Sequence, residues 1–410
     1  MGGWLSKAAD ETWSSLPPEL LDLILHRLSS LADRVRFAYV CRHWHRAVVH
    51  YSLPGGRLLA GALPWLNYRN GCFESLPDGE LHLFRFDRYE YDLCYGSSGS
   101  WLLFMKVGRR RPSRRHYLHN PILGGGTTRR LPGYCREPVA VHHNINLING
   151  GSPPPSSPAA SSSSASTKFR ITKVIVCSRD LVAANMVLLQ GGKNVVVCCR
   201  PGKSSAWSTG LWNQGHWYED MSFYKGKLYT VTLEGDLFAH ELTCDKDEEP
   251  RVSRLEQVID QAAPSPLDGC YATLQGCTRR CYLVISCTGK LLMVRWFVPD
   301  DPTAIGIAIK VFEADFDMSR WLEVQSLGDQ VLFISSNCSR AKMASGGHAQ
   351  YLKGNQIYFL SDSFVHWSHG SPWNKPACGV YDMSTGTIRP ISLGGRRIST
   401  QSKALWFFLP

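Results

Sequence analysis

Four segments of the chain repeat one local pattern, in which a turn containing Gly leads into a short apolar run. The segments are YKGKLYTVT at 224–232, CTGKLLMVR at 287–295, LGDQVLFIS at 327–335 and LKGNQIYFL at 352–360. Comparable β-rich runs continue from about residue 53 to the C-terminus, without a long amphipathic helix among them. Repeated hairpins bury their apolar faces by packing on one another, which predicts a β-propeller. A pair of irregular β-sandwiches is the alternative.

The positions of the repeated glycines bear on the number of blades. Gly226, Gly289, Gly328 and Gly354 are irregularly spaced, so the four hairpins cannot all be the same strand pair of their blades. We predict about six blades, with five or seven left open. The abundance of turn formers, 36 Gly and 23 Pro in 410 residues, agrees with a fold made of many short strands.

Residues 13–50 have a different pattern, because their apolar residues recur at helical spacing. The first helix carries the apolar positions Leu20, Leu21, Ile24, Leu25 and Leu28. Pro17 and Pro18 suit its first turn, and we expect Ser14 or Ser15 to cap it. A unit of this size buries too little surface to be stable alone. Its apolar residues cover more than one face, so we expect one face to form a core and another to bind a partner.

The motifs LPPELLDLILHRL and VCRHWHRAV within residues 16–48 resemble the F-box. This family of small helical modules docks onto the Skp-type adaptor of cullin–RING ubiquitin ligases. The similarity runs through the whole segment without an insertion, and His45 is a departure where the family commonly has Arg or Lys. The resemblance implies that the adaptor-binding residues are Leu16, Pro17, Leu20, Leu21, Ile24, Leu25, Leu28, Val40, Cys41 and Trp44. The alternative is a helical hairpin that only packs on the propeller.

A second resemblance covers most of residues 75–410. The segments WLEVQSLGDQVLFISSN, LKGNQIYFLSDS, CGVYDMSTGTIRPI and ALWFFLP are similar to the end of the plant F-box-associated β-propeller family of the KIB-like, unknown-function type. The segment from GSSGSWLLFMKV to HYLHNPILGGGTTRRLP is similar to its beginning. The resemblance implies a mixed fold, a small all-α F-box followed by an all-β propeller, which acts as a recognition platform without a cofactor.

The domain organisation follows from these assignments. We predict a flexible N-terminus at 1–12, the F-box at 13–50, a connector at 51–74 and the propeller at 75–410. The segment GGSPPPSSPAASSSSAST, within 150–167, is almost uncharged and poor in apolar residues, so we expect a disordered loop within the propeller.

Two features bear on location. The N-terminal MGGWLS matches a myristoylation pattern at Gly2, which would give only marginal membrane binding. The net charge of +11 is concentrated in KVGRRRPSRRH, and its arginines are a candidate nuclear-import or phosphate-binding patch or, alternatively, a solvated hairpin tip. These arginines are Arg109, Arg110, Arg111, Arg114 and Arg115. We predict a cytoplasmic or nuclear protein without a specific nucleic-acid partner, since the patch lacks interleaved aromatics.

Patterns for catalysis or metal binding are missing from the sequence. There is no GxSxG, HExxH, P-loop or CxxC motif, and the 14 Cys are expected to be reduced thiols.

Clustered aromatics are expected either to fill gaps between blades or to form a binding surface. They are Trp207, Trp212, Trp217, Tyr218, Trp367 and Trp373.

The sequence therefore favours a non-catalytic substrate receptor of an SCF-type ubiquitin ligase. Its partners would be a Skp-type adaptor, through it a cullin–RING ligase, and an unidentified target protein. The alternatives are a propeller that sequesters a partner without ligase function and, as the weakest, a sugar-binding or enzymatic propeller.

Overall fold

The secondary structure consists of helical segments near the N-terminus followed by a long series of short strands. The computed structural model describes residues 13, 15–28, 33, 36–37, 40–46, 63–68, 72–76, 80–83, 93–106, 115–121, 127–136, 139–141, 168–189, 192–209, 211–213, 216–243, 249–260, 277–299, 308–345, 351–360, 378–389, 391–393, 396–397 and 404–408. Helix α1 spans Pro18–Arg27. The strands up to residue 200 are β1 (Trp65–Asn67), β2 (Cys72–Ser75), β3 (Leu81–Leu83), β4 (Leu93–Ser98), β5 (Trp101–Lys106), β6 (Arg115–Asn120), β7 (Thr127–Arg130), β8 (Val139–Val141), β9 (Phe169–Val176), β10 (Val182–Leu188) and β11 (Asn194–Cys199).

The remaining strands run to the C-terminus. They are β12 (Ser208–Thr209), β13 (Leu211–Asn213), β14 (Tyr218–Tyr224), β15 (Lys227–Thr232), β16 (Leu237–Thr243), β17 (Arg251–Ile259), β18 (Cys277–Ile285), β19 (Leu291–Pro299), β20 (Ala308–Asp315), β21 (Arg320–Val324), β22 (Gln330–Ile334), β23 (Arg340–Met343), β24 (Gln356–Leu360), β25 (Cys378–Asp382), β26 (Thr387–Arg389), β27 (Ser392–Leu393), β28 (Arg396–Arg397) and β29 (Leu405–Phe407).

Six sheets of four or five strands form the blades of a propeller. Blades 2 to 5 consist of β4–β7, β9–β12, β14–β17 and β18–β21, each an antiparallel meander of consecutive strands. Blade 1 has the order β29-β1-β2-β3, so the C-terminal strand pairs with the first strand of the sheet. The prediction of about six blades is confirmed, and the β-sandwich alternative is wrong.

The core is divided among six apolar clusters, one between each pair of neighbouring blades. Strand β19 shows the principle, because its alternate residues serve two clusters. Leu291 and Met293 pack with blade 4, whereas Leu292 and Val294 pack with blade 6. A strand that is buried on both faces has a continuous apolar sequence, which explains runs such as LLMV. The sixth cluster joins blades 6 and 1 and completes the ring.

Blade 6 departs from the meander and explains the irregular spacing of the repeats. Its order is β23-β22-β24-β25-β26, and β22 and β24 are parallel neighbours. The two repeats at 327–335 and 352–360 therefore lie side by side in one sheet. Gly354 permits the close approach, because a Cβ there would lie 2.6 Å from the carbonyl oxygen of Gly328. In the other two repeats Gly226 and Gly289 have φ of +81° and +76°, which a hairpin turn requires.

The propeller begins before the predicted boundary at residue 75. Strand β1 and all of β2 except Ser75 lie inside the range 51–74 that was expected to be a connector. Their signal is weak because β1 has only three residues and depends on pairing with β29, more than 300 residues away in the chain. The predicted disordered loop at 150–167 and the N-terminus at 1–12 lie outside the described residues.

A buried ion pair joins the inner strands of three blades. Nζ of Lys173 on β9 lies 2.5 Å from Oδ1 of Asp220 on β14, and both side chains are buried. The same carboxylate accepts hydrogen bonds from the backbone N–H groups of Met221 and of Leu283 on β18, both at 2.8 Å. Burial raises the pKa of Asp220, and the ammonium and the two N–H donors oppose that rise.

Substitution of Trp406, on the C-terminal strand β29 that closes the ring, tests how much ring closure contributes to stability. Its side chain is fully buried, its Nε1 donates to the carbonyl oxygen of Ile334 at 3.0 Å, and its ring packs edge-on against Phe333. We expect Trp406→Ala to lower the free energy of unfolding by about 3–5 kcal/mol. Trp217→Ala is the control, because that side chain is 46% exposed and its loss should cost about 0.5 kcal/mol or less. Urea unfolding measures both, and equal effects would contradict a closed ring.

His240 gives the fold a pH dependence. Burial lowers the pKa of His240 from 6.5 to about 3, so the folded protein holds this ring neutral. The unfolded chain binds a proton there as the pH falls below 6.5, hence the stability it contributes is complete above that pH and declines toward pH 3. Between pH 7 and 5.5, wild type should lose about 1 kcal/mol more stability than His240→Gln. The exposed His45→Gln is the control, and an unchanged slope in His240→Gln would refute this effect.

Candidate functional site

The N-terminal helical unit begins at a pair of prolines. Pro17 occupies the N-cap position with φ −54° and ψ 142°, and Pro18 is the first helical residue of α1. The carbonyl oxygen of Pro17 accepts hydrogen bonds from the N–H groups of Leu20 and Leu21. The expected serine cap is wrong, because no side chain caps this helix. A residue that precedes a proline is disfavoured from helical backbone. Pro17 is therefore the N-cap, and the helix begins at Pro18 rather than after the serines.

One face of α1 forms the core of the helical unit. Leu21 and Leu25, one turn apart, are buried together with Phe37 and Trp44. The rings of Phe37 and Trp44 are 4.4 Å apart between centroids. Four residues on three segments thus form a small apolar cluster separate from the six clusters of the propeller.

Two hydrogen bonds fasten the chain before α1 to the helical residues 42–46. Nε2 of His43 donates to the carbonyl oxygen of Leu16, and Nε1 of Trp44 donates to the carbonyl oxygen of Trp13, both at 3.0 Å. Because these bonds use backbone acceptors, they position the segment entering α1. Trp44 therefore has two roles inside the unit, as a core residue and as a hydrogen-bond donor.

The predicted adaptor-binding residues divide into three groups by burial. The buried ones are Leu21, Leu25 and Trp44, the partly buried ones are Leu16, Ile24, Leu28 and Cys41, and the exposed ones are Pro17, Leu20 and Val40. The buried group packs within the unit, so its side chains stabilise the surface and are not themselves available for contact. The exposed group remains available to a partner.

Two exposed apolar residues were missed by the sequence analysis. Trp13 and Leu23 are 59% and 57% exposed, and Leu23 is one turn after Leu20 on α1. The signal was present in the spacing, because Leu20 and Leu23 form a second stripe beside the stripe of Leu21 and Leu25. We call Trp13, Pro17, Leu20, Leu23 and Val40 the exposed apolar face.

A charged contact connects the helical unit with blade 1. Arg36 donates to the carboxylates of Asp33 and Glu80, at 2.9 and 2.6 Å. These hydrogen bonds raise the pKa of Arg36, with the bond to Glu80 contributing most. Exposed pairs of this kind contribute little to stability. The contact therefore contributes little to the orientation of the unit. The exposed apolar face depends on packing within the helical unit for its stability.

The other predicted sites are mostly outside the part of the chain that the structure describes. This holds for Gly2, Arg109, Arg110, Arg111 and Arg114, whereas Arg115 is an exposed residue at the start of β6. Among the described residues, no group of His, Cys, Asp and Glu could hold a metal ion. In the same part of the chain no helix is long and apolar enough to cross a membrane.

The aromatic clusters have mixed roles. Trp207 is fully buried between blades 2 and 3, and its Nε1 donates to the carbonyl oxygen of Pro132 at 3.0 Å. Tyr218 is also buried, whereas Trp217 is exposed. Trp367, Trp373 and the side chain of Trp212 lie outside the described residues. The gap-filling role thus holds for Trp207 and Tyr218.

Comparison with known families agrees with both parts of this structure. A family model described as KIB1-4 beta-propeller matches residues 73–382, and an F-box-like model matches residues 13–53. The chain belongs to the KIB1-4 beta-propeller family. It is a plant F-box protein with a C-terminal propeller, and the two resemblances in its sequence are confirmed.

The relatives are F-box proteins of Arabidopsis thaliana. The chain is 25% identical to putative F-box protein At3g25750 over 85% of this chain and 87% of the relative. It is 27% identical to F-box protein At2g26160 over 85% of this chain and 96% of the relative. A solved bifunctional GH43-CE protein of Bacteroides eggerthii is 12% identical with a TM-score of 0.28, over 56% of this chain and 28% of that chain. This last likeness is too low to support an argument.

Substitutions at two leucines of α1 distinguish a residue that stabilises the helical unit from a residue on its exposed surface. Leu25 is fully buried, and Leu20 is 46% exposed. We expect Leu25→Ala to destabilise the helical unit by about 2–5 kcal/mol, because it leaves a cavity in a small core. Leu20→Ala should change stability by about 0.5 kcal/mol or less.

Amide hydrogen exchange of residues 18–28 in the full chain measures this difference. Leu25→Ala should abolish slow exchange there while leaving β19 and β22 protected. Slow exchange in Leu25→Ala, or its loss in Leu20→Ala, would show that the assignment of the two faces is wrong.

Proposed function

We propose that this protein is the substrate-recognition subunit of an SCF-type, cullin–RING E3 ubiquitin ligase. The F-box docks on a Skp-type adaptor, and the propeller binds the target protein. The observation that carries the proposal is the exposed apolar face beside a core that is already complete. The relatives named above are F-box proteins, which supports the same assignment.

The apolar face suits recognition of a helix or groove on another protein. Leu20, Leu23 and Val40 belong to the same unit as a buried apolar core and leave large apolar surfaces in contact with water. Covering such surface contributes about 25 cal/mol for each Å² before the costs of association are subtracted. A few central apolar residues commonly carry most of the affinity of an interface. The adaptor interface should therefore depend on this face.

The receptor does no covalent chemistry in this account. It holds target lysines near a ubiquitin-loaded enzyme, which raises their effective concentration. The six-bladed ring suits this role because its interblade clusters keep the sheets in fixed relative positions.

We propose that the protein acts in the cytoplasm, the nucleus or both.

A paired substitution tests the adaptor interface. We expect Leu20→Ala/Leu23→Ala to weaken binding to a purified Skp-type adaptor at least tenfold, which is about 1.4 kcal/mol. The matched control is Met318→Ala/Leu322→Ala, which removes two exposed apolar side chains from the propeller. Isothermal titration calorimetry measures both affinities. Equal affinities in the two double variants would place the interface elsewhere.

Ligase assembly is distinguished from sequestration by a second measurement. The tagged full-length chain should recover a cullin from plant cells through the adaptor, and Leu20→Ala/Leu23→Ala should lose it. Bound target should accumulate when the proteasome is inhibited. Adaptor binding without cullin recovery, together with unchanged target levels, would favour a sequestering propeller.

A further inference from the structure

A cavity of about 490 Å³ lies at the centre of the ring. Each blade contributes an inner strand or the residue next to it, so the cavity belongs to the propeller as a whole. One lining residue from each blade, in the order 1 to 6, is Phe408, Ser97, Lys173, Met221, Ile285 and Arg340. Its volume is within the range of pockets that hold small molecules.

Lys173 lines this cavity and carries a buried ammonium group. Its side chain is only 7% exposed, and an ammonium has three N–H donors. Among the described residues Nζ has one acceptor, the Asp220 carboxylate. That carboxylate also accepts two backbone N–H groups. Two donors of a buried ammonium thus remain for another acceptor, and burying such donors without one is costly.

Arg340 adds a positive charge to the same cavity. Its guanidinium carbon lies 5.9 Å from the ring centre of Phe408, and no carboxylate of the described residues forms an ion pair with it. Among the described residues, those that line the cavity include Lys173 and Arg340 and no Asp or Glu. Because Asp220 offsets only the charge of Lys173, the cavity has a net positive wall that favours an anion.

The rest of the lining is partly apolar. Val176, Phe223 and Ile285 line the cavity beside serine residues such as Ser97. Inorganic anions gain nothing from apolar surface, whereas an organic acid with an apolar body does. The mixture of the uncompensated Arg340 charge, the remaining donors of Lys173 and apolar side chains therefore selects an amphipathic anion.

We propose that the central cavity binds a small organic carboxylate. Its charged group lies at Lys173 and Arg340, and its apolar body contacts the side chains of Val176, Phe223 and Ile285. The site is independent of the F-box and extends the role of the propeller from a recognition platform to a receptor for a small molecule. Its test does not involve the adaptor, so it can fail while the proposed function holds.

Calorimetric titration of sodium benzoate into the full chain tests this proposal. We expect saturable 1:1 binding that weakens at least tenfold in Arg340→Gln and in Lys173→Met/Asp220→Asn. The double variant replaces both charges of the buried pair, so that neither is left unpaired. Lys203→Gln is the control, because that side chain is 70% exposed and does not line the cavity. Benzylamine, which has a similar apolar body and the opposite charge, should not bind.

Three results would overturn the proposal. They are absence of benzoate binding at millimolar concentration, equal binding by wild type and Arg340→Gln, and binding of inorganic phosphate without benzoate. Arg340→Gln alters an exposed side chain, so it remains informative if the buried double variant does not fold.

Discussion

Pairing of the C-terminal strand with the first strand of the propeller is the interaction on which the structure depends. Strand β29 runs antiparallel to β1, with Trp406 opposite Leu66. Without it, blade 1 would lack its inner strand and two interblade clusters would lose aromatic side chains of residues 405–408. A closed ring of blades has no terminal blade with an exposed apolar face. Closure therefore buries every interblade cluster between two blades. The central cavity is lined by residues of all six blades, so its shape depends on the closed ring.

The helical unit is stabilised in a different way from the propeller. It has few residues, one small core and a weak charged contact with blade 1, so it cannot obtain its stability from the ring. Burial of Leu21, Leu25, Phe37 and Trp44 holds the unit together, and this same packing leaves Leu20 and Leu23 in water. A complete core and an exposed stripe on one short helix are thus consequences of a single spacing pattern. This combination is what makes docking on an adaptor the favoured function.

Much of this architecture could be predicted from local pattern. The glycine turns and the apolar runs on either side of them specify hairpins, and their number leads to about six blades. The F-box motifs specify the helical unit. Other features depend on contacts distant in sequence and could not be predicted: the pairing of β1 with β29, the parallel neighbours β22 and β24, and the central ion pair. Division of the adaptor-binding residues into buried and exposed groups also required the structure, because helical spacing alone does not say which stripe faces inward.

The central claim is that one surface of the helical unit joins the protein to its adaptor while the propeller remains free for a target. Hydrogen exchange with mass spectrometry on the full chain, with and without a Skp-type adaptor, tests it most directly. The account predicts slowed exchange in residues 13–28 and 40–46 and unchanged exchange in strands β4 to β26. Slowed exchange on the propeller, or none in the helical unit, would contradict it.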